Sequence, residues 1–244
     1  MTYFFIPIGL LIGALIVLLF RHMPISWLAD YGEEDLTEAQ RARDGLSVFP
    51  GMLLIMLVDG LIFFASAHLI GPVISLPVIL YAAQPLLLIA ISDFRARIIP
   101  DQLVLALIPA GLLLWVSDSI KNPARWLPGL PSRLLAALAA GVFLWVCGWL
   151  AAKWLHRDAM GMGDVKLLAV CAFLVDWPNL VFLLCLSFLL AAVVAVPLLI
   201  RRRIQPDRDP ELAFGPYIVM ATFLLLVASS FVQQWWQAYL TLLI

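Results

Sequence analysis

The chain has 244 residues, of which 64% are hydrophobic and 13% are charged, and its mean hydropathy is +1.03. A soluble domain of this length could not bury so much apolar surface in one core, so the composition favours an integral membrane protein surrounded by a lipid bilayer. The formal net charge of −1 lacks the basic excess of nucleic-acid-binding proteins, and we expect no nucleic-acid partner.

Eight apolar segments predict membrane helices. A full span needs about 20 apolar residues, so the sixth segment is short and requires packing among its neighbours. Prolines predict breaks between segments, including one at 128–131. In chain order the segments are 3–20, 47–70, 73–91, 101–117, 133–155, 166–176, 179–200 and 213–240. The sequence therefore predicts an all-α, polytopic membrane bundle of about eight transmembrane helices.

Lysines and arginines are unequally distributed between the predicted connections. If the N-terminus faces outward, twelve of the 15 lie on the cytoplasmic side, and only Lys121, Arg125 and Arg133 lie on the other side. Cytoplasmic loops of membrane proteins carry this excess of positive charge. We therefore expect the N-terminus outside and both Asp93 and Asp164 at the cytoplasmic edge of the membrane.

Asp93 and Asp164 lie directly beside apolar runs. Unpaired charge at such positions is costly, so these carboxylates are candidates for function. Gly161 and Gly163 remove side chains beside Asp164 and would allow another chain to approach closely. Two neighbouring carboxyls share one proton, so one can activate water while the other donates a hydrogen bond to a scissile carbonyl. Such a pair would hydrolyse a peptide bond without a metal or cofactor.

The residues alone leave structural alternatives open for both aspartates. Asp93 could instead pair with Arg95 or Arg97, since opposite charges lie two and four residues away. Asp164 could cap the start of a helix, near Lys166.

A transporter that uses membrane acids as ion or proton sites is the main functional alternative. Asp59, in the middle of the second segment, could serve such a role or form a polar contact within the bundle. Asp93 and Asp164 lie at one membrane edge, however, whereas transport sites usually lie near the midplane. The three cysteines form no CxxC pair, and we expect no metal site.

Three motifs carry a resemblance to a known family. They are Asp93-x-Arg95 followed by Ile99-Pro100, then Gly161-x-Gly163-Asp164-x-Lys166, and the late motif Phe214-Gly215-Pro216. With these motifs in this order, the chain resembles the type IV prepilin leader peptidases, membrane aspartyl proteases of the GxGD class.

The resemblance implies a fold, a site and a substrate. It implies that Asp93 and Asp164 are catalytic, within a peptidase membrane core at 91–244 that follows an N-terminal membrane region at 1–90. It implies an active site at the cytoplasmic face of a bacterial inner membrane. The implied substrates are prepilins or type II secretion pseudopilins, cut after a glycine between a basic leader and an apolar helix. The implied supporting residues are Gly161, Gly163, Lys166, Arg95 and Pro100, with Phe214, Gly215 and Pro216 of the late motif.

The N-terminal region departs from the family pattern. Its loop at 21–46 has no cysteine, whereas many members carry two CxxC pairs there that bind zinc. In the first span, Val17 stands where many members have asparagine. Bifunctional members use S-adenosylmethionine to methylate the new N-terminus, and that activity is linked to this region. We therefore expect a peptidase without a cofactor, and with reduced or absent methyltransferase activity.

Overall fold

The structure is a computed structural model that describes residues 2–29, 36–46, 50–71, 73–155, 161–204 and 213–228. These residues form nine α-helices, and no strand occurs among them. The helices are α1 (Phe5–His22), α2 (Thr37–Asp44), α3 (Gly51–Ile70), α4 (Leu76–Ala96), α5 (Asp101–Lys121), α6 (Trp126–Leu155), α7 (Met162–Val175), α8 (Trp177–Ile204) and α9 (Gly215–Val227).

Each of the eight predicted apolar segments contains one helix, and the short polar helix α2 lies between the first two. Six of the helices that the structure describes are long and apolar enough to cross a bilayer, namely α1, α3, α4, α5, α6 and α8. The chain is therefore a multi-pass, all-α membrane protein, as predicted. Residues 47–49 and 229–240, at the edges of two predicted segments, lie outside the described residues.

Helices α1 and α3 pack closely through glycines. A β-carbon on Gly9 would lie 2.7 Å from the carbonyl oxygen of Asp59, and one on Gly13 would lie 2.8 Å from the Cα of Met56. Small residues permit this approach between membrane helices, where dispersion contacts rather than water provide the attraction. The side chain of Asp59 is fully buried there and accepts a 3.3 Å hydrogen bond from Gln84 of α4.

Helix α7 is a short, buried apolar helix that packs on several neighbours. Its 14 residues extend about 21 Å, less than the roughly 30 Å of a hydrocarbon core. It contacts α5, α6, α8 and α9, and the ring of Phe173 lies directly against Gly111 of α5. The short sixth segment is therefore a half-length helix enclosed by protein, which is the condition under which a membrane tolerates it.

The predicted break at 128–131 is wrong. Helix α6 begins at Trp126 and continues through Pro131. Pro128 falls in the first turn, where backbone N–H groups have no helical partner, so it costs the helix little. By contrast, Pro100 lies just before α5, where a break was predicted.

Candidate active site

Asp93 lies in the last turn of α4, where the chain reverses into α5. Arg97 ends α4 in a left-handed conformation (φ 56°), and its amide donates a hydrogen bond to the Asp93 carbonyl. The hydroxyl of Ser92 donates to the carbonyl oxygen of Ile98 at 2.7 Å. These local bonds fix the reversal, and the Asp93 side chain is 5% exposed.

The N-terminus of α9 points at Asp93. The amide of Gly215, the first residue of α9, donates a 2.8 Å hydrogen bond to Asp93 Oδ2. Amides in the first helical turn have no partner within the helix, and the helix dipole favours an anion at this end. A β-carbon on Gly215 would lie 2.6 Å from the same oxygen, so glycine is required at this position.

Asp164 is the third residue of α7, which brings it towards the reversal after α4. A β-carbon on Gly163 would lie 3.2 Å from the Cβ of Ile99, so glycine permits the start of α7 to pack tightly on that reversal. A β-carbon on Gly161 would come no closer than 3.7 Å to Asp164 Oδ2, which is ordinary contact. Of the two glycines, Gly163 is therefore the one at which close approach occurs.

The two carboxyl groups influence each other. Burial, and then the negative charge of Asp93, raises the pKa of Asp164 to about 7. Within the described part of the chain, Asp164 Oδ1 is buried and has no hydrogen-bond partner. The two carboxyls thus differ in environment: Asp93 receives a backbone N–H, whereas Asp164 has a buried oxygen without a donor.

Both aspartates line one cavity of about 800 Å³. Its wall is completed by Trp27 and Leu36 from the connection between α1 and α2, and by Arg97. The cavity is large enough for a peptide segment and combines carboxyl groups, a cation and an aromatic ring.

The structural alternative for Asp164, a helix cap near Lys166, is not observed. The residue before α7 is Gly161, so Asp164 lies inside the helix instead of capping it. Lys166 Nζ donates to both carboxylate oxygens of Asp101, at 2.9 and 2.8 Å. This ion pair between Lys166 and Asp101 joins the start of α5 to α7 beside the cavity. Asp164 is not one of its two members.

Most of the predicted supporting residues lie at this cavity, but Arg95 does not. Its Nε donates to the carbonyl oxygen of Ala42 at 3.2 Å, which ties α2 to α4. Phe214 is partly buried and its ring centroid lies 5.3 Å from that of Phe188, while Pro216 follows Gly215 in the first turn of α9. Among the predicted supporting residues, those that line the cavity are Pro100, Gly161, Gly163 and Lys166.

Sequence reasoning did not assign a site role to Trp27, Arg97 or Asp101. Asp101 and Lys166 carried a usable signal, since opposite charges at the starts of two helices near the aspartates could pair. Trp27 carried none, because only the folding of the first connection over the cavity brings it there.

Comparison with known proteins relates this site to a family. Residues 79–196, which include Asp93 and Asp164, match the Type IV leader peptidase family, and this match covers slightly less than half of the chain. A prepilin leader peptidase/N-methyltransferase from Aeromonas hydrophila is 27% identical over 75% of this chain and 60% of its own. The Dickeya chrysanthemi protein of the same name is 31% identical over 69% of this chain and 56% of its own. No solved structure matches the chain.

The chain spans less than two thirds of the length of these relatives. The activities in their names are therefore not assigned to this chain by similarity alone. Within the leader peptidase segment, the comparisons favour a protease and give no support to the transporter alternative. The division into regions 1–90 and 91–244 stays a prediction.

Proposed function

We propose that this chain is an aspartyl endopeptidase that removes the basic leader from type IV prepilins or type II secretion pseudopilins, cutting after a glycine. The observation that carries the proposal is the meeting of Asp93, from α4, and Asp164, from α7, in one cavity. The relatives named as prepilin leader peptidases support the substrate class.

The environments of the two carboxyls suggest their roles. Asp93, which accepts the Gly215 amide at the N-terminus of α9, is the ionised member and takes a proton from the attacking water. Asp164, whose pKa is about 7, holds the shared proton and gives it to the scissile carbonyl oxygen as the water oxygen bonds to carbon. Collapse of the tetrahedral intermediate then breaks the C–N bond, and the new amine leaves with the proton that Asp93 took. As the carbonyl re-forms, one hydroxyl of the intermediate returns its proton to Asp164, which restores both carboxyl groups.

The surface beside the cavity suits the second half of such a substrate. Phe94, next to Asp93, is 79% exposed, and Met162, at the start of α7, is 58% exposed. An apolar substrate helix can lie against these side chains within the bilayer, while its basic leader stays in water. The excess of lysine and arginine on this side favours a cytoplasmic location for the cavity, at a bacterial inner membrane with the N-terminus outside.

Single substitutions of the aspartates test the proposal. Asp93→Asn and Asp164→Asn keep the side-chain shape, and each should abolish leader cleavage of a prepilin in detergent or in membranes. Asp44→Asn, an exposed acid on α2, is the matched control and should cleave normally. If both site variants still process the prepilin, the assignment of Asp93 and Asp164 as the catalytic pair is wrong. Unfolding temperatures equal to that of the parent chain would show that a variant has lost cleavage without losing its fold.

We further propose that methylation of the new N-terminus is reduced or absent. Val17, at the family's asparagine position, is 1% exposed in α1, and Gly13 packs against α3. This part of α1 offers packing surface and no polar group for the charged methyl donor, so the residues there do not fit S-adenosylmethionine. Incubation of the purified chain with cleaved pilin and labelled donor tests this; efficient methyl transfer would overturn it.

A further inference from the structure

A second polar cavity lies at the other end of the bundle from the aspartates. It has a volume of about 90 Å³. Helices α4, α5 and α7 each reach both cavities from opposite ends: on α5, for example, Asp101 lines the first cavity and Lys121 the second. The proposed peptidase chemistry makes no use of this second site.

All three cations that the sequence places on this side of the membrane line the second cavity. Arg133 is engaged by protein, since its Nη2 donates to Asp118 Oδ2 at 2.6 Å. Lys121 Nζ donates to the neutral hydroxyl of Ser75 at 3.1 Å. Within the described ranges, neither Lys121 nor Arg125 forms an ion pair, and both side chains are exposed. Lys121 and Arg125 therefore have no carboxylate within ion-pair distance among the described residues.

The other carboxylate in the lining is already engaged. Asp176 Oδ1 accepts the hydroxyl of Ser132 at 2.6 Å and the amide of Trp177 at 2.7 Å. These donors are neutral and leave the negative charge of Asp176 in place. The lining therefore holds three cations and two carboxylates, and this excess of positive charge favours an anion.

One buried acceptor also lines this cavity. Asn179 is 7% exposed, and its Nδ2 donates to the Val175 carbonyl at 2.8 Å. Its Oδ1 is buried and has no donor among the described residues. Buried polar atoms are rarely left unpaired, so this oxygen can accept a hydrogen bond from a water molecule or from a ligand hydroxyl or N–H group at the cavity.

The cavity lies at the depth of a membrane surface. Trp115 and Trp126 pack beside one another with ring centroids 4.9 Å apart, at the end of α5 and the start of α6, and Trp126 is half-exposed. Tryptophans with this placement mark the level of lipid headgroups. A phosphate group of a lipid would be available at that level.

We propose that this cavity binds the headgroup of an anionic phospholipid that carries hydroxyl groups, of the phosphatidylglycerol type, in the leaflet opposite the aspartates. Lys121 and Arg125 contact the phosphodiester, and a headgroup hydroxyl donates to Asn179 Oδ1. An ethanolamine headgroup fits less well, because its ammonium would lie beside two cations.

Lipid binding to the purified full chain in detergent tests the proposal, with native mass spectrometry and unfolding temperature as readouts. Phosphatidylglycerol should bind and stabilise more than phosphatidylcholine or phosphatidylethanolamine, while inorganic phosphate should have little effect. The double variant Lys121→Gln, Arg125→Gln should weaken phosphatidylglycerol binding roughly 30-fold, since each cation near a lipid surface contributes about fivefold. Lys153→Gln removes an exposed charge from the far end of α6 and should bind like the parent chain.

Three outcomes would overturn the proposal: equal binding of the three lipids, unchanged binding of phosphatidylglycerol by the double variant, or an equal loss of binding in the Lys153→Gln control. Stabilisation by inorganic phosphate to the same extent as by phosphatidylglycerol would assign the site to free phosphate instead. Because Lys121 and Arg125 are exposed, the double variant should unfold at the parent temperature without lipid. Leader cleavage is not measured, so failure here is distinct from failure of the proposed peptidase function.

Discussion

Replacing Gly215 by alanine would place a methyl group against the carboxylate of Asp93. The added β-carbon would lie 2.6 Å from Oδ2, 3.1 Å from Cγ and 3.3 Å from Cβ of Asp93. Atoms this close must separate, so either Asp93 rotates away or the start of α9 moves back. Either movement lengthens or breaks the 2.8 Å hydrogen bond from the Gly215 amide.

The expected loss of cleavage in Gly215→Ala follows from the strength of the hydrogen bond between the Gly215 amide and Asp93. A hydrogen bond to a charged group contributes about 1.5–3 kcal/mol, which corresponds to a loss of roughly 10- to 150-fold in rate if it is needed in the transition state. Misplacement of the reacting carboxylate by about 1 Å costs a similar factor, about 100-fold. We therefore expect kcat/KM for leader cleavage to fall by about 100-fold in Gly215→Ala.

The two glycines before Asp164 supply a graded control. Gly163→Ala brings a β-carbon to 3.2 Å from the Cβ of Ile99, a contact that requires a small shift, so we expect an intermediate loss. Gly161→Ala has only an ordinary contact at 3.7 Å and should retain most activity. The assay is cleavage of a purified prepilin under kcat/KM conditions, with the unfolding temperature of each variant measured in the same detergent.

The order of the three variants is the decisive result. If Gly215→Ala cleaves within about threefold of the parent chain, the amide contact with Asp93 does not position a reacting group. If Gly161→Ala is the most damaged of the three, the steric ranking from the structure is wrong. A fall in unfolding temperature that parallels the loss of cleavage would assign the effect to folding instead.

Three further predictions concern Asp164, Arg133 and Arg95. The folded state raises the pKa of Asp164 from 3.8 to about 7, so its contribution to stability is present below pH 3.8 and is lost as pH rises through 7. Asp164→Asn should therefore flatten the dependence of the unfolding temperature on pH. Leader cleavage by the parent chain should decline above pH 7. Arg133→Ala removes the donor to the carbonyls of Phe173 and Leu174 and the partner of the partly exposed Asp118 carboxylate, and should destabilise the chain by about 1–3 kcal/mol in denaturant unfolding. Arg95→Ala should increase proteolysis near α2 while cleavage falls less than about threefold, because its bond to Ala42 is a single one outside the cavity.

Periodic and compositional features of the sequence predicted most of the helices. Twenty-residue apolar runs such as α3 can be recognised because a membrane requires that length, and Pro100 marks a boundary because it ends one helix and precedes another. The prolines at 128 and 131 misled the prediction: Pro128 lies in the first turn of α6, where proline is tolerated, and the helix continues through Pro131. Boundaries set by tertiary packing are thus less predictable than the existence of a helix.

The two aspartates were predicted from their place beside apolar runs, but their partners were not. Gly215 and Asp93 are 122 residues apart, and their hydrogen bond exists only because α9 packs on α4. The local sequence around Arg95 suggested a role beside Asp93, two residues away. Residues two apart on a helix point about 200° away from each other, however, so Arg95 faces α2 instead.

The buried position of Arg133 changes how the charge asymmetry across the membrane is interpreted. Helix α7 is too short to bring both of its ends to water, so the free carbonyls at its C-terminus need donors within the protein. Arg133 Nη1 supplies them, donating to the carbonyls of Phe173 and Leu174 at 2.9 and 2.6 Å, and it is only 3% exposed. It therefore belongs to the bundle and not to a loop. On this side only Lys121 and Arg125 remain as loop cations, and the excess of positive charge on the side of the aspartates is larger than the sequence count indicates.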